Sequence, residues 1–376
     1  MRIAVLANLI KNAPRWEGMP PEQWDDLDSP KTIDNIISSL EKEGHTAEFF
    51  EARIQAPFRL VDKLQSYKPD LCFNIAEGHF GCSRESHIPS ILEMLRLPYT
   101  GSRVLSLAIA LDKPLTKRLL HYHGLPTPEF QVFGAADEPI NDDFLDRDVL
   151  KFPLFIKPSR EGTGMGVSAK NIIRGIAELR EKLKEMLHRF KQPVLCERFI
   201  QGRELTVGFV GNLKLNPPRR MSDKTAPLGL PQELTFFPPL ELDTDAYDPE
   251  EAGIYTGRIK TELVHDFHYM CPASLAPEAV DLLNKYSAAT FRVLGCLDVA
   301  RVDFRFDTED NNKPYILEIN PLPGLNAEYS DLPLQAKAYG WSYERLINTI
   351  VELAAERQNI VEKHHKSGYK AEGNPE

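Results

Sequence analysis

Apolar and polar side chains alternate with a period of two between Leu294 and Asn326, which predicts a pair of strands. The first strand is predicted over Val299–Asp307 and the second over Pro314–Asn320, with a polar turn between them. Successive strand side chains point to opposite faces, so one face of the first strand is apolar and the other is charged. The apolar face holds Val302, Phe304 and Phe306, and the charged face holds Arg301, Asp303 and Arg305.

The return strand carries Glu318 and Asn320 on one face, directly before a tight Pro-Gly turn. If the two strands pair, Asp303 lies near both residues, because facing side chains in a hairpin are about 5 Å apart. Two carboxylates and an amide oxygen are the ligands of a hard cation, and Mg²⁺ bound together with phosphates fits them. The alternative is an amphipathic hairpin with a solvated charged face. Ligand-type residues at the end of a buried strand favour the metal site.

The first third of the chain alternates predicted strands with helices. Strands are predicted over Arg2–Leu9, Ala47–Glu51 and Asp70–Ile75. A helix capped by Ser29 begins at Pro30 and ends at Gly44, and a further helix begins near His87. This order predicts an open, mainly parallel sheet and a mixed α/β (α+β) class.

The order of elements divides the chain into units. We expect an N-terminal α/β domain over residues 1–108, a central unit over 109–197 and a C-terminal unit with the metal site over 198–357. Residues 358–376 are charged and poor in apolar side chains, so we expect a disordered tail.

Composition narrows the class of protein further. The 376 residues carry a formal net charge of −10, which argues against nucleic-acid and anionic-membrane partners. The five cysteines are scattered without a C-x-x-C pair, as in a reduced, cytoplasmic protein. No stretch approaches the length of a membrane span, and the first apolar run is too short for a signal peptide.

The glycine-rich segment Lys157–Val167 joins two predicted strands. Glycines let the backbone approach a phosphate closely, and exposed N–H groups can hold it. A flexible hairpin tip is the alternative. Lys157 lies at the end of an apolar strand, and its position favours phosphate binding. Lys113 is a second candidate for binding phosphate, although most lysines in such a position are simply exposed surface residues.

The segment Val194–Leu205 leaves a buried strand and crosses a predicted domain boundary. Such a segment suits an adenine slot, in which backbone groups read the base edge and apolar side chains cover its face. A plain interdomain connection is an equal alternative for this segment taken alone.

The order of these segments is more specific than any one of them. LDKPLTKRLL, FIKPSREGTGMGV, LCERFIQGREL, ARVDFRFD and LEINPLPGL follow one another along the chain. This order resembles the ATP-grasp superfamily and, within it, the D-alanine–D-alanine ligases. The resemblance spans about Asp70 to Leu353 and implies an ATP-grasp fold of three subdomains. A dimer is common in that family, although the oligomeric state cannot be read from the sequence.

The resemblance also implies residue roles. ATP phosphates would bind Lys113, Lys157 and a closing loop with Glu161, Gly162, Thr163, Gly164 and Gly166. The nucleoside would be held by Glu197 and Glu204, with Arg198, Phe199 and Ile200 lining the adenine pocket. Two Mg²⁺ ions, with Mn²⁺ as a substitute, would bind Asp303, Glu318 and Asn320. Arg301 and the N–H of Gly324 would face the oxyanion, and Lys260 would reach the γ-phosphate from a lid loop.

The family's chemistry is phosphorylation of a carboxylate by ATP, attack of an amine on the acyl phosphate, and release of phosphate. In this chain the substrate positions depart from the family pattern. The Gly-Gly stretch and the glutamate after the first strand are missing, Glu77-Gly78 stands in place of His-Gly, and Thr261 replaces a lid tyrosine. Candidates for recognising a different amino acid or peptide-like acid are Glu77, Arg84, Glu85 and Ser330. Glu77, Arg84 and Glu85 could equally serve only to organise their loop.

Three functions remain open at this point. The leading one is an ATP-dependent carboxylate–amine ligase with an altered substrate pocket. The second is a true D-alanine–D-alanine ligase of peptidoglycan precursor synthesis. The third is a nucleotide-binding regulator without catalysis. Against this alternative, every metal-binding and phosphate-binding position that can be aligned with the family holds a suitable residue.

Overall fold

The structure is a computed structural model that describes residues 1–20, 22–53, 57–140, 150–162, 164–213, 233–243 and 268–360. Of the predicted site residues, Thr163 and Lys260 lie outside these ranges, as do Thr261 and residues 361–376 of the predicted tail. None of the helices in the described ranges combines the length and the hydropathy that a membrane span requires.

A parallel sheet of three strands begins the fold, in the order β2-β1-β3. The strands are β1 (Arg2–Ala7), β2 (Thr46–Glu51) and β3 (Leu71–Asn74). The helices of this part are α1 (Pro30–Lys42), α2 (Pro57–Tyr67), α3 (His87–Met94) and α4 (Val104–Leu111). The predicted cap is present, because the Ser29 hydroxyl accepts a hydrogen bond from the Thr32 N–H at the start of α1. The predicted parallel sheet and mixed α/β class are therefore confirmed.

The central part is an antiparallel sheet in the order β4-β7-β5-β6. Its strands are β4 (Phe130–Phe133), β5 (Leu154–Pro158), β6 (Ile172–Ile173) and β7 (Val194–Arg198). Helix α5 (Lys113–Tyr122) precedes the sheet, and α6 (Ile176–Phe190) buries Leu179, Leu183 and Met186 in its core. The boundary expected at residue 108 falls inside α4.

The C-terminal part is built on a second antiparallel sheet, in the order β11-β10-β8-β12-β13, with β9 also paired to β8. Its strands are β8 (Glu204–Gly211), β9 (Leu234–Phe236), β10 (Leu240–Leu242), β11 (Tyr269–Met270), β12 (Val299–Asp307) and β13 (Lys313–Asn320). Its helices are α7 (Pro277–Leu294), α8 (Asp331–Ala338) and α9 (Tyr343–Arg357). Short 3-10 helices lie at Ile10–Asn12, Arg84–Ser86 and Ala169–Asn171.

The predicted hairpin is present, with β12 and β13 antiparallel. Val302, Phe304 and Phe306 are buried in one core with α7. The alternation of side chains therefore places the charged face of β12 on the opposite side, as predicted.

The N-terminal sheet does not close its core alone. Ile3 and Val5 of β1 and Ile36 of α1 share one apolar cluster with Ile347 and Val351 of α9. Ile360, just beyond α9, is buried in the same cluster. The first and last parts of the chain therefore form one packed body.

Asp298 is fully buried and connects several segments of this packed body. Its carboxylate accepts hydrogen bonds from the Gly101 N–H at 2.8 Å, from Asn212 at 2.8 Å and from Arg357 at 2.7 and 3.1 Å. The same aspartate thus connects the turn before α4, the end of β8 and helix α9.

We expect Asp298→Ala to lower the free energy of unfolding by about 3–5 kcal/mol, because it leaves the guanidinium of Arg357 without its buried anion. Urea denaturation followed by circular dichroism measures the change. Lys42→Ala is the control: its pair with Glu344 also joins α1 to α9, but the lysine is 60% exposed, so the expected change is below about 1 kcal/mol. An equal decrease in the free energy of unfolding in the two variants would contradict the special role of the buried Asp298.

Candidate active site

Two clefts meet beside the β12–β13 hairpin. The larger, of about 450 Å³, lies between the segment before α1, the loop after β3 and the turn after β13. The smaller, of about 80 Å³, lies between the central sheet and the charged face of the hairpin. Lys113, Glu161 and Glu318 line both clefts. The two clefts therefore adjoin at these three residues.

The predicted site residues divide between the two clefts. The smaller cleft is lined by Lys113, Lys157, Glu161, Gly164, Glu197, Arg198, Phe199, Ile200, Glu204, Asp303 and Glu318. The larger cleft is lined by Glu77, Glu85, Gly162, Arg301, Asn320, Gly324 and Ser330, besides the three shared residues. Positions assigned to ATP thus gather mainly in one cleft and positions assigned to the other substrates in the other.

Arg84 and Gly166 line neither cleft. Arg84 is buried and binds Asp26 at 3.1 Å and Glu161 at 3.3 Å, so it connects the loop after β3 to the glycine-rich loop. Gly166 has φ +72°, and a Cβ there would lie 2.5 Å from the Phe190 ring. These contacts favour a role for both residues in organising the loops.

The glycine-rich loop is held from several sides. Lys113 donates from Nζ to the Glu161 carbonyl at 2.6 Å, and Gln192 donates to the Glu161 carboxylate at 2.6 Å. Arg160 binds Asp112, the N-cap of α5, at 2.7 Å. The start of the loop is therefore fixed relative to the lysine predicted to bind phosphate.

The hairpin places the predicted metal ligands as expected. Asp303 pairs with Glu318 across the two strands, and Arg301 pairs with Asn320. The guanidinium of Arg301 makes two hydrogen bonds to the Asp303 carboxylate, at 2.9 and 3.0 Å, and reaches Asp331 at 3.0 Å. The guanidinium of Arg301 thus compensates the negative charge of Asp303 and Asp331.

The same residues fit a hard cation. Asp303 and Glu318 offer carboxylate oxygens, and Asn320, whose amide lies 2.9 Å from Asp303, offers one amide oxygen. Lys113 lies 3.2 Å from Glu318, so both carboxylates draw positive charge towards the junction of the clefts. This donor set, open to the neighbouring clefts, suits Mg²⁺ that keeps water or phosphate oxygens as its remaining ligands.

A buried cluster of Lys117, Glu197 and Lys157 lies beneath the smaller cleft. Each lysine ammonium is 2.8 Å from one oxygen of the Glu197 carboxylate, and Lys117 is fully buried. Burial by itself would raise the pKa of Glu197, but the two lysines hold it below its usual value. Burial lowers the pKa of Lys117 to about 8. The Glu197 side chain is thus committed to fixing Lys157.

Sequence reasoning missed Lys117, although a signal was present. Lys113 and Lys117 are four residues apart on α5, and side chains at that spacing share one face of a helix. The face that carries the predicted phosphate lysine therefore also carries the buried one.

The far end of the smaller cleft is apolar and aromatic. Phe155 and Phe199 face each other with ring centroids 6.1 Å apart, and Met165 and Val167 add apolar surface. The guanidinium of Arg305 lies 5.2 Å from the Phe199 ring and binds Glu204 at 3.1 Å. A flat apolar slot with a carboxylate at its rim suits a nucleoside, as the linker segment suggested.

Four acidic side chains form one wall of the larger cleft: Asp26, Asp28, Glu77 and Glu85. Burial, followed by the charge of Asp26, raises the pKa of Asp28 to about 8. Burial also raises the pKa of Glu85 to about 7 and that of Glu77 well above its usual range. We call these four residues the acidic wall.

Asp26 and Asp28 were not among the predicted site residues, because the segment before α1 has no regular alternation of apolar and polar positions. An aromatic cluster gives this segment a fixed shape. Trp24 is buried, donates to the Pro14 carbonyl at 2.7 Å, and packs against His79 and Phe80. The signal in the sequence was the acidic run WDDLDS directly before the helix cap.

Comparison with known proteins agrees with this geometry. The family model described as "D-ala D-ala ligase C-terminus" matches residues 119–226 and 248–352. A D-alanine–D-alanine ligase of Carboxydothermus hydrogenoformans is 31% identical over 333 residues, which are 87% of this chain and 94% of that protein. An uncharacterised protein of Sinorhizobium fredii is 30% identical over 370 residues, 95% of this chain and 98% of its own length.

Solved structures show the same fold. The D-alanine–D-alanine ligase of Bacillus anthracis, solved in complex with ATP, superposes with a TM-score of 0.68 at 24% identity and covers 96% of this chain and 99% of its own. The corresponding ligase of Coxiella burnetii gives a TM-score of 0.65 at 20% identity, with 98% and 97% of the two chains covered.

We expect Asp28→Asn to stabilise the protein relative to wild type near pH 8 but not at pH 4. Unfolded aspartate loses its proton above a pKa of about 3.8, whereas folded Asp28 keeps it up to about 8, so wild-type stability falls across this window. The slope expected from one proton is about 1.4 kcal/mol per pH unit. Urea denaturation at pH 4, 6 and 8 measures the difference between the two proteins, and a difference that does not change with pH would contradict the assignment.

Proposed function

Because the chain belongs to the D-alanine–D-alanine ligase family of ATP-grasp enzymes, we propose that it joins the carboxylate of an amino acid or peptide-like acid to an amine through an acyl phosphate. The enzyme class is that of ATP-dependent ligases that form a C–N bond. The observation that carries the proposal is the meeting of the two clefts at Lys113, Glu161 and Glu318. A cytoplasmic location, where ATP is available, is part of the proposal.

We assign the smaller cleft to ATP. The adenine would lie in the apolar slot with Phe199 and Ile200, and Glu204 at its rim would accept hydrogen bonds from the ribose hydroxyls. Lys157, held by Glu197, and Lys113, held against the glycine-rich loop, would bind the phosphates. Both lysines are fixed before ATP arrives, which lowers the ordering cost of binding.

Asp303, Glu318 and Asn320 would hold Mg²⁺ at the junction of the clefts. Bound there, the ion would neutralise phosphate charge and orient the γ-phosphate. Arg301 would exchange part of its pairing with Asp303 for the negative charge that develops on the reacting carbonyl. A fixed donor of this kind contributes about 3–4 kcal/mol to the transition state.

The proposed reaction has two steps. A carboxylate oxygen of the first substrate attacks the γ-phosphorus, and the bond to the β-phosphate oxygen breaks to release ADP. The nitrogen of an uncharged amine then attacks the acyl carbon, the C–O bond to phosphate breaks, and the amine loses a proton. The chain's contribution is to align the two substrates and to shield the acyl phosphate from water.

We propose that the substrate pocket differs from that of the family pattern. Glu77, which stands where the family has a histidine, lines the larger cleft, and so does Glu85. The acidic wall is formed by residues that the family pattern did not supply. Ser330 also lines the cleft, with its hydroxyl accepting from the Asn326 N–H at 3.0 Å.

Phosphate release from ATP and Mg²⁺, measured against D- and L-amino acids and dipeptides with mass spectrometry of the products, tests the proposal. We expect release coupled to a condensed product. A single product of two D-alanines would favour the unaltered family reaction, and no release with any acceptor despite ATP binding would favour the regulatory alternative.

We expect Asp303→Ala and Glu318→Ala each to lower the coupled turnover at least about a hundredfold, since a bound metal contributes several kcal/mol to phosphoryl transfer. Glu309→Ala, on the exposed turn of the same hairpin, is the matched control and should leave the rate unchanged. Retained turnover in the first two variants would refute the metal assignment.

A further inference from the structure

The larger cleft is lined by more carboxyl groups than the described chain pairs with cations. Among the carboxylates that line it, Glu318 is in contact with Lys113, Asp331 with Arg301, and both Glu161 and Asp26 with Arg84. Asp28, Glu77 and Glu85 have no salt bridge and no side-chain hydrogen bond to any residue that the structure describes. Arg84 acts on both glutamates, and Lys113 on Glu85, only through longer-range attraction.

Asp26 gives an independent indication of a ligand. Its side chain is 6% exposed and lines the larger cleft. One carboxylate oxygen binds Arg84, but the other, Oδ1, is buried without a hydrogen-bond partner among the described residues. A buried charged oxygen without a partner is costly, and a donor arriving in the cleft would remove that cost.

The acidic wall is rigid. A Cβ at Gly78 would lie 2.5 Å from the Arg84 carbonyl, so the two ends of the loop after β3 pack in direct contact. The Gly78 N–H donates to Asn8 at 2.9 Å, while the aromatic cluster around Trp24 holds the segment of Asp26 and Asp28. These contacts therefore hold the carboxyl groups of the acidic wall close to one another.

The ligand implied by this wall is an organic cation. The acidic wall lines a cleft of about 450 Å³, a volume typical of small-molecule sites. A small molecule that carries more than one positive charge matches several carboxyl groups held in one cleft.

We propose that the acidic wall binds a substrate with two positive charges, an α-ammonium and a basic side-chain group, so that the preferred amino acid is of the lysine, ornithine or arginine class. The proposal rests on the proposed ligase function, which places an amino acid in this cleft. The ammonium of a neutral amino acid would match only one carboxylate and leave the others exposed to one another. A second cation would match the remaining charge.

Calorimetric binding of lysine and norleucine to the full chain, with Mg²⁺ and a non-hydrolysable ATP analogue present, tests this. The two ligands have similar length, but only lysine has the second charge, and both enantiomers of each are used. We expect lysine of one chirality to bind at least tenfold more tightly than the matching norleucine. Glu77→Gln and Glu85→Gln should each reduce lysine binding about tenfold, and the variant that removes the carboxylate facing the side-chain group should leave norleucine binding unchanged.

Glu41→Gln, on the exposed face of α1, is the matched control and should leave both affinities unchanged. Thermal denaturation confirms that each variant is folded, and the two glutamine variants test the wall separately. Equal binding of lysine and norleucine, or a lysine preference that survives both substitutions, would overturn the proposal. Binding is measured without turnover, so the two proposals can fail separately. A preference for lysine without phosphate release would refute only the ligase function. Condensation of alanine without a preference for lysine would refute only the present proposal.

Discussion

The antiparallel pairing of β12 with β13 is the constraint on which the site depends. One face of β12 is buried in the core with Val302 and Phe304, so a shift of register by one residue would turn the charged face inward. The correct register places Asp303 against Glu318 and leaves both carboxylates where the two clefts meet. The apolar core thus fixes the position of the polar residues that would do the chemistry.

Charge is distributed unequally between the two clefts. Beneath the smaller cleft, Glu197 is shared by Lys117 and Lys157, and Arg305 binds Glu204. These pairs neutralise buried charges, and they keep Lys157 and Arg305 beside the cleft that we propose for ATP. The acidic wall of the larger cleft has the opposite character, because it presents carboxyl groups whose pKa is raised by burial. The site that we propose for ATP and the site that we propose for a cationic substrate therefore adjoin at one junction.

The larger cleft depends on the packing of the N-terminal sheet and α1 against α9. Helix α9 completes the core of β1 and α1, and Asp298 joins the turn at Gly101 to Arg357. This packing brings the segment before α1 opposite the turn after β13. The elements that form the cleft are therefore far apart in sequence, and the stability of their contact decides the shape of the substrate pocket.

Local patterns in the sequence determined much of the fold and half of the site. Period-two alternation placed Asp303 and Glu318 on facing strands, and the Ser29 cap and Pro30 located α1. The order of motifs identified the residues predicted to bind ATP, most of which line the smaller cleft. What the sequence alone did not supply are contacts between distant segments. Trp24 packs against the loop after β3 and thereby brings Asp26 and Asp28 to Glu77, and Arg84 is buried by a loop far from it in sequence. Such positions follow from tertiary packing, which no local periodicity encodes, so only the structure revealed the acidic wall.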